Sequence, residues 1–338
     1  MKEDGLLPPF SHLYVEEDLL ESTWSGKVTQ LCNRFGKAVV VPVRSFQEVT
    51  QRRTARWNDQ KRSPKLVIAR KRGELIYPCS EVAPNFGHPH FYYAVPMQNC
   101  LYDCEYCYLQ GMYTSPNLVY FVNQEEMIKR AVELARELGE LYLCIAYDND
   151  LLAMEGALGV TAEWVEGLRN HPSVTVEVRT KSANFAALKK LAPPTNFILA
   201  WTLSPEPVIR QFEAGTPGLE ARLKSLKAAL SAGWRARLCL DPLLPVKDWP
   251  TVYEELFRRL DQEELWQALE DASYGPFRMP KQLLRQARKA RPDSALLHSA
   301  QSREERGLMT FGGTDQERLL EYVGTELRKR MPTDKVWT

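Results

Sequence analysis

The stretch Cys100-Leu-Tyr-Asp-Cys104-Glu-Tyr-Cys107-Tyr108-Leu-Gln110 decides how this chain is read. Three of the seven cysteines fall within eight residues, spaced C-x3-C-x2-C. Thiolates so close in sequence can converge on one metal centre. A structural zinc takes four protein ligands, and an ordinary 4Fe–4S cluster is held by four cysteines. A cluster on three cysteines leaves one iron open to a small molecule. The zinc reading needs a fourth ligand, for which Cys79, His88 or His90 would have to serve, and C-x3-C is an unusual zinc spacing. The tyrosines on both sides of Cys107 suit a shielded cluster in a low dielectric.

Working outward, 338 residues suffice for one large α/β domain or a domain with an extension. The chain is 44% hydrophobic and 26% charged, an ordinary globular composition. Its first residues are polar with no apolar run behind them, so no signal peptide is read. No segment approaches the roughly 18 apolar residues of a membrane span. An odd number of cysteines with a tight cluster suits a reducing cytosol, and a cytoplasmic protein is expected. A formal net charge of +1 decides nothing about nucleic acid, which must be argued from local patches.

Residues 1–82 read as an N-terminal α/β extension. Two β-rich runs, Lys37 to Arg44 and Leu66 to Arg70, flank a basic segment carrying Arg52, Arg53, Arg56, Lys61, Arg62 and Lys65 around Trp57. That segment is either a solvated face or a phosphate-contacting patch with a stacking aromatic.

From Ala83 strands alternate with helices. The first strand, His90 to Met97, runs directly into Cys100. Asn123 is placed to cap a helix striped by Met127, Ile128, Ala131, Val132, Ala135 and Leu138. Further strands are expected at Leu141 to Tyr147, Val174 to Arg179, Asn196 to Ser204, Trp234 to Leu240 and, more weakly, Tyr274 to Arg278. Gly233 should end the helix of Leu219, Leu223, Leu226 and Leu230 in left-handed geometry. A basic helix with Lys281, Arg285, Arg288 and Lys289 and an amphipathic helix over Glu317 to Arg330 complete residues 83–338.

Repeated strand–helix units imply a parallel sheet with right-handed crossovers. A doubly wound sheet and a β/α barrel both fit, and two features favour the barrel. No glycine-rich loop follows the first strand, and polar residues recur where strands end: Asp148 to Asp150, Thr180 to Ser182, Thr202 to Ser204 and Asp241. Barrels build their active sites on that face. The expected fold is a partial (β/α)6-type TIM barrel with the N-terminal extension. Of the isolated cysteines, Cys32, Cys79 and Cys239 read as core residues. Cys144 sits mid-strand and is a candidate to face the barrel interior.

The C-x3-C-x2-C spacing resembles the signature of the radical S-adenosylmethionine superfamily. Longer stretches resemble one branch of it, the spore photoproduct lyases: Cys104-Glu-Tyr-Cys107-Tyr-Leu-Gln, Tyr120-Phe-Val-Asn123, Val178-Arg-Thr-Lys181, and Val208-Ile-Arg-Gln-Phe-Glu213-Ala-Gly-Thr216 with Arg222 behind it. The resemblance spans about Leu66 to Leu260. It implies cleavage of the methylene-bridged thymine dimer of ultraviolet-damaged DNA through a 5′-deoxyadenosyl radical. It implies a 4Fe–4S cluster on Cys100, Cys104 and Cys107 whose open iron holds S-adenosylmethionine. Lys181, Thr202 and Ser204 would be cofactor residues, and Tyr106 and Tyr108 would help return the hydrogen. Damaged duplex DNA and a reducing donor such as flavodoxin or ferredoxin are the implied partners.

Two departures bear on the substrate. The family's cysteine after the second strand donates hydrogen, yet alignment on the nearby aspartates puts Tyr147 there. Cys144 lies three residues earlier, where strand alternation would turn it to the opposite face. Cys144 and Tyr147 are therefore both candidate donors. The aromatic, basic hairpin that engages DNA in the family is not evident over Gly307 to Gly313. A radical S-adenosylmethionine enzyme of the same architecture acting on a different substrate is the alternative reading.

Overall fold

A computed structural model describes residues 10–51, 56–80, 83–299, 302–305 and 307–338. Arg52 and Arg53, expected in the basic segment, and Val82, at the expected end of the extension, lie outside the described residues.

Six parallel strands carry the larger sheet: β1 Phe91–Ala94, β2 Leu141–Cys144, β3 Val174–Thr180, β4 Phe197–Thr202, β5 Arg235–Leu243 and β6 Asp271–Pro276. They stand side by side in chain order, the arrangement that successive right-handed crossovers produce. Ile76–Pro78 adds an antiparallel edge beside β1, and Val336–Trp337 adds a parallel edge beside β6. The sheet curls until its edges meet: Phe86, before β1, packs edge-on against Trp337 at 5.9 Å between centroids. This is a partial β/α barrel. Helices over Gln124–Leu138, Leu151–Leu158, Val160–Leu168, Leu219–Ser231 and Trp249–Gln262 fill the crossovers. The stripe Met127, Ala131 and Ala135 is buried against the sheet, with Ile128, Val132 and Leu138 at its margin. Gly233 takes φ 85°, as a helix-ending glycine should.

A second sheet has the order Val39–Val43, His12–Glu16, Leu66–Ala69, Leu118–Phe121, Met97–Gln98. Its first four strands are parallel and the last is antiparallel. The N-terminal strands thus share a sheet with two strands from beyond residue 83.

Local readings that differ have physical reasons. The strand expected over His90 to Met97 divides at Val95-Pro96, so Phe91–Ala94 stays in the barrel while Met97–Gln98 crosses to the second sheet. Proline removes a ladder donor and permits that break. Asn123 does not cap its helix. Its amide accepts from Lys71 N at 2.8 Å and donates to Glu126 Oε2 at 2.6 Å, clamping the loop after Leu66–Ala69. The second strand stops at Cys144, three residues before its expected end.

Candidate active site

The cysteine loop hangs between the two sheets. Asn99 enters it with φ 64°, a left-handed conformation that asparagine tolerates better than most residues. Its side-chain amide donates to the carbonyls of Ser115 at 2.9 Å and Asn117 at 2.8 Å, which fixes the turn. Asp103–Cys104 then pairs antiparallel with Glu213–Ala214, and Glu105 N donates to Phe212 O at 2.7 Å. The Phe-Glu-x-Gly-Thr element is therefore a backbone partner of the cysteines. Gly111, just beyond, sits so close to the helix Lys281–Ala290 that an added Cβ would lie 2.2 Å from Leu283 O.

Cys100, Cys104 and Cys107 are free thiols lining one pocket, with Trp57, Lys61 and Arg291 in its wall. Burial pushes the Cys100 thiol up to about 12 and raises Cys104 and Cys107 as well. A bound cation would reverse that, because a coordinating thiol is deprotonated. Among the described residues, no group of three or more Cys, His, Asp or Glu is gathered to hold a single metal ion. A cluster several atoms across asks for wider spacing around one cavity. The buried indole N–H of Trp57 has no acceptor among the described residues, and cluster sulfurs accept such donors. The donor set fits an iron–sulfur cluster.

Beside the cysteines, three side chains converge on Glu213, which is 1% exposed. Tyr106 OH and Arg222 Nη2 donate to it in very short contacts, and Ser204 Oγ donates at 2.9 Å. Arg222 also holds Thr202 O at 3.1 Å, Thr216 Oγ1 at 2.7 Å and Pro217 O at 2.9 Å. Burial alone would raise the Glu213 carboxyl. The charges of Arg222 and Lys181, with the Tyr106 hydrogen bond, outweigh it and hold the group below its ordinary value. Lys181 stands with Nζ 5.5 Å from the centre of the Tyr106 ring. Burial works against its charge, but Cys104 and Glu213 win and raise its pKa. Its ammonium has no hydrogen-bond or ion-pair partner among the described residues, which leaves a cation at the barrel mouth available to an anion.

Tyr108 points the other way, its hydroxyl donating to Tyr147 O at 2.7 Å and Asp148 Oδ1 at 3.2 Å. Tyr113 donates to the same carboxylate. Asp150 accepts from Thr180 Oγ1 at 2.7 Å and Lys181 N at 2.7 Å, tying the end of β3 to the turn after β2.

Cys144 and Tyr147 do not face apart. Because β2 ends at Cys144, alternation no longer applies, and both pack in one aromatic cluster with Phe91, Tyr93 and Cys79. Cys79 packs against that core cluster, at its margin. It is half-buried, and burial, with the charge of Glu177, pushes its thiol up to about 12 against the opposing influence of the nearby Tyr147 phenol. Cys144 Sγ lies 4.0 Å from Glu177 Oε1. Glu177 also takes Tyr142 OH at 2.7 Å, Arg179 Nε at 3.2 Å and a short contact from Arg237, whose other side holds Asp271. His88 stacks on Tyr142, at 4.5 Å.

The structure thus brings Cys100, Cys104, Cys107, Tyr106, Lys181, Thr202 and Ser204 around one mouth. It sets Tyr108 with Tyr147, and Cys144 deeper in the barrel. Glu213, Asp148 and Lys61 were not singled out from sequence for these roles; for Glu213 the signal was its place in the Phe-Glu-x-Gly-Thr element. The basic segment is partly spent internally. Lys61 Nζ donates to Cys100 O at 2.5 Å, Lys65 Nζ donates to Ser11 Oγ at 2.7 Å, and Trp57 walls the cysteine pocket. A hairpin does exist near the C-terminus, Ser302–Glu305 paired with Leu308–Phe311, although the sequence did not reveal it.

A three-thiol loop at the mouth of a partial β/α barrel, facing a free lysine and a buried Glu–Arg pair, defines a metallocluster-type α/β protein. Residues 80–307 match the family model described as "Spore photoproduct lyase", so the chain belongs to the spore photoproduct lyase family, a radical S-adenosylmethionine family. It is similar to "Spore photoproduct lyase" of Bacillus subtilis (strain 168), 23% identical over 177 residues, 51% of this chain and 52% of the relative. It is also similar to the protein of that name from Geobacillus sp. (strain Y412MC61), 24% identical over 183 residues, 52% of each. The chain spans about half the length of the curated relatives it matches. A solved spore photoproduct lyase complexed with dinucleoside spore photoproduct superposes at TM-score 0.80 and 18% identity, covering 98% of both chains. A variant with bound AdoMet and the same dinucleoside also gives 0.80, at 18% identity and 98% of both chains. At such identity these likenesses establish the fold.

Proposed function

We propose that this chain is a radical S-adenosylmethionine lyase of spore photoproduct type, acting on the methylene-bridged thymine dimer of damaged duplex DNA. The observation that carries the reading is the pocket lined by Cys100, Cys104 and Cys107 at the mouth of a barrel that belongs to this family. The three thiols would hold a 4Fe–4S cluster. Bound there, the cluster and S-adenosylmethionine together supply a carbon-centred radical able to abstract hydrogen.

The chain's own groups suit that task. Lys181 keeps its proton and has no hydrogen-bond or ion-pair partner among the described residues, so it can take the cofactor's carboxylate. Thr202, pinned through its carbonyl by Arg222, and Ser204, held on Glu213, continue the site at the end of the neighbouring strand. Tyr106 and Tyr108, flanking Cys107, carry phenolic hydrogens close to the loop. Tyr147 and Cys144 line the interior below them as donor candidates. A reduced flavodoxin or ferredoxin in the cytoplasm would supply the electron. No helix among the described residues is long and apolar enough to cross a membrane.

A second reading keeps the chemistry and changes the substrate. It is favoured by Tyr147 standing where the family's donor cysteine is expected, with the nearby thiols Cys79 and Cys144 engaged by Tyr147 and Glu177. The test is anaerobic reconstitution followed by turnover. About four irons per chain, 5′-deoxyadenosine, and thymine recovered from a synthetic dinucleoside lesion are expected. Stoichiometric zinc in place of iron would refute the proposal, and deoxyadenosine formed without lesion repair would select the second reading.

A further inference from the structure

We propose that the cationic surface beside the cysteine pocket is the docking face for an acidic one-electron carrier protein. The inference rests on the cluster reading above and locates where the electron enters. Two elements distant in sequence wall that pocket. The helix Trp57–Arg62 contributes Trp57 and Lys61, and the helix Lys281–Ala290 ends at Arg291, which reaches in from the other side. Both elements are fastened to the cysteine loop. Lys61 holds Cys100 O. Arg291 Nε donates to Gln110 Oε1 at 2.6 Å, and its other nitrogen grips Asp103. Gly111 lets the second helix settle directly on the turn that follows Cys107.

The solvent sides of the same elements are basic. Arg56 and Arg62 flank the first helix, and Arg285 and Lys289 lie one turn apart on the second. All four are exposed, and none has an ion-pair partner among the described residues. Of the neighbouring acids, Asp103, Glu105 and Glu304 are engaged by Arg291, Ser294 and Lys281, while Asp59 and Asp293 are exposed. The chain as a whole is nearly neutral, at +1, so this is local polarisation rather than a general excess of charge.

Electron transfer falls steeply with distance, so a carrier has to seat where the thiols come nearest the surface. Complementary charge raises the encounter rate and orients the pair at little cost in lasting affinity, as a carrier that must leave again requires. Double-stranded DNA would meet the same charges. Position favours the carrier, because these cations ride on the elements that wall the cysteine pocket itself.

The test is stopped-flow reduction of the reconstituted protein, followed by loss of visible absorbance, with flavodoxin hydroquinone or dithionite as the reductant. Flavodoxin gives up one electron and becomes the semiquinone. We expect the flavodoxin rate to fall at least about tenfold in R62E/K289E at low salt. It should also fall steeply with ionic strength in the parent protein, and the dithionite rate should not change. Equal flavodoxin rates in parent and variant would overturn the proposal. So would a variant that loses affinity for duplex DNA while its flavodoxin rate holds, which would make the face a nucleic-acid surface. If dithionite reduces neither protein, the cluster reading itself fails and this proposal falls with it.

Discussion

Replacing Arg222 by methionine is the sharpest probe of how the site is held together. Arg222 and Glu213 both have side chains at 0% exposure, and they are in direct contact. Two unit charges about 4 Å apart interact by about 4 kcal/mol at an effective dielectric near 20. Losing one member of a buried pair costs about 3–5 kcal/mol, since the survivor is left uncompensated. Lys181 and the Tyr106 hydroxyl remain near Glu213 and temper that loss, so about 3 kcal/mol is expected. Domain stability is only about 5–15 kcal/mol, and one kcal/mol moves the midpoint of a chain this large by about 2 °C. R222M should therefore melt about 6 °C lower by circular dichroism. E213Q should cost at least as much, because its amide oxygen can still accept from Tyr106 and Ser204 but Arg222 and Lys181 are left without a counter-charge. The double variant should be less damaged than the sum of the two, with a coupling of about 2 kcal/mol or more. Additive single effects, or an R222M loss below about 1 kcal/mol, would show that the pair does not organise the site.

Three further outcomes follow from geometry. G111A should detach the helix Lys281–Ala290 from the cysteine loop, because its methyl would meet backbone at Leu283; about 1–3 kcal/mol of stability and part of the iron loading should be lost, measured by melting and metal analysis. Burial would raise Glu177, but Arg179 and Arg237 hold it below its ordinary 4.5. The stability it contributes is full above that value and is lost as pH falls through the lowered one, so R237M should begin acid unfolding at a higher pH than the parent. C104A should abolish deoxyadenosine formation and bind less iron, whereas Y108F should retain iron, with about 1 kcal/mol lost from its hydrogen bonds to Tyr147 and Asp148.

The barrel was legible because its signals are local. Apolar stripes, strand-length β-branched runs and polar residues at strand ends repeat through the chain, and each is decided within a dozen residues. The cysteine loop was legible for the same reason. What escaped was long-range. Glu213 was marked by the Phe-Glu-x-Gly-Thr element, but its role shows only once strand pairing sets it beside Cys104. Lys61 reads as one member of a charge run, and only folding reveals that it is spent on Cys100 O. The Cys144–Tyr147 relation depended on where one strand stops, a boundary that propensity places poorly. The division at Pro96 had a visible cause, but the sequence could not say that the second half would join another sheet.

That division has a consequence for anyone trimming the protein. Leu118–Phe121 is buried at every position and takes one of its two ladders from Leu66–Ala69. Cutting the chain near residue 82 to isolate the barrel would strip that ladder and bare an apolar strand, Leu-Val-Tyr-Phe, along its whole length. Unpaired edges of that composition recruit other strands. The shortened barrel should therefore be recovered as aggregate rather than as an inactive soluble core, with the cysteine loop tethered to the strand that drives the precipitation.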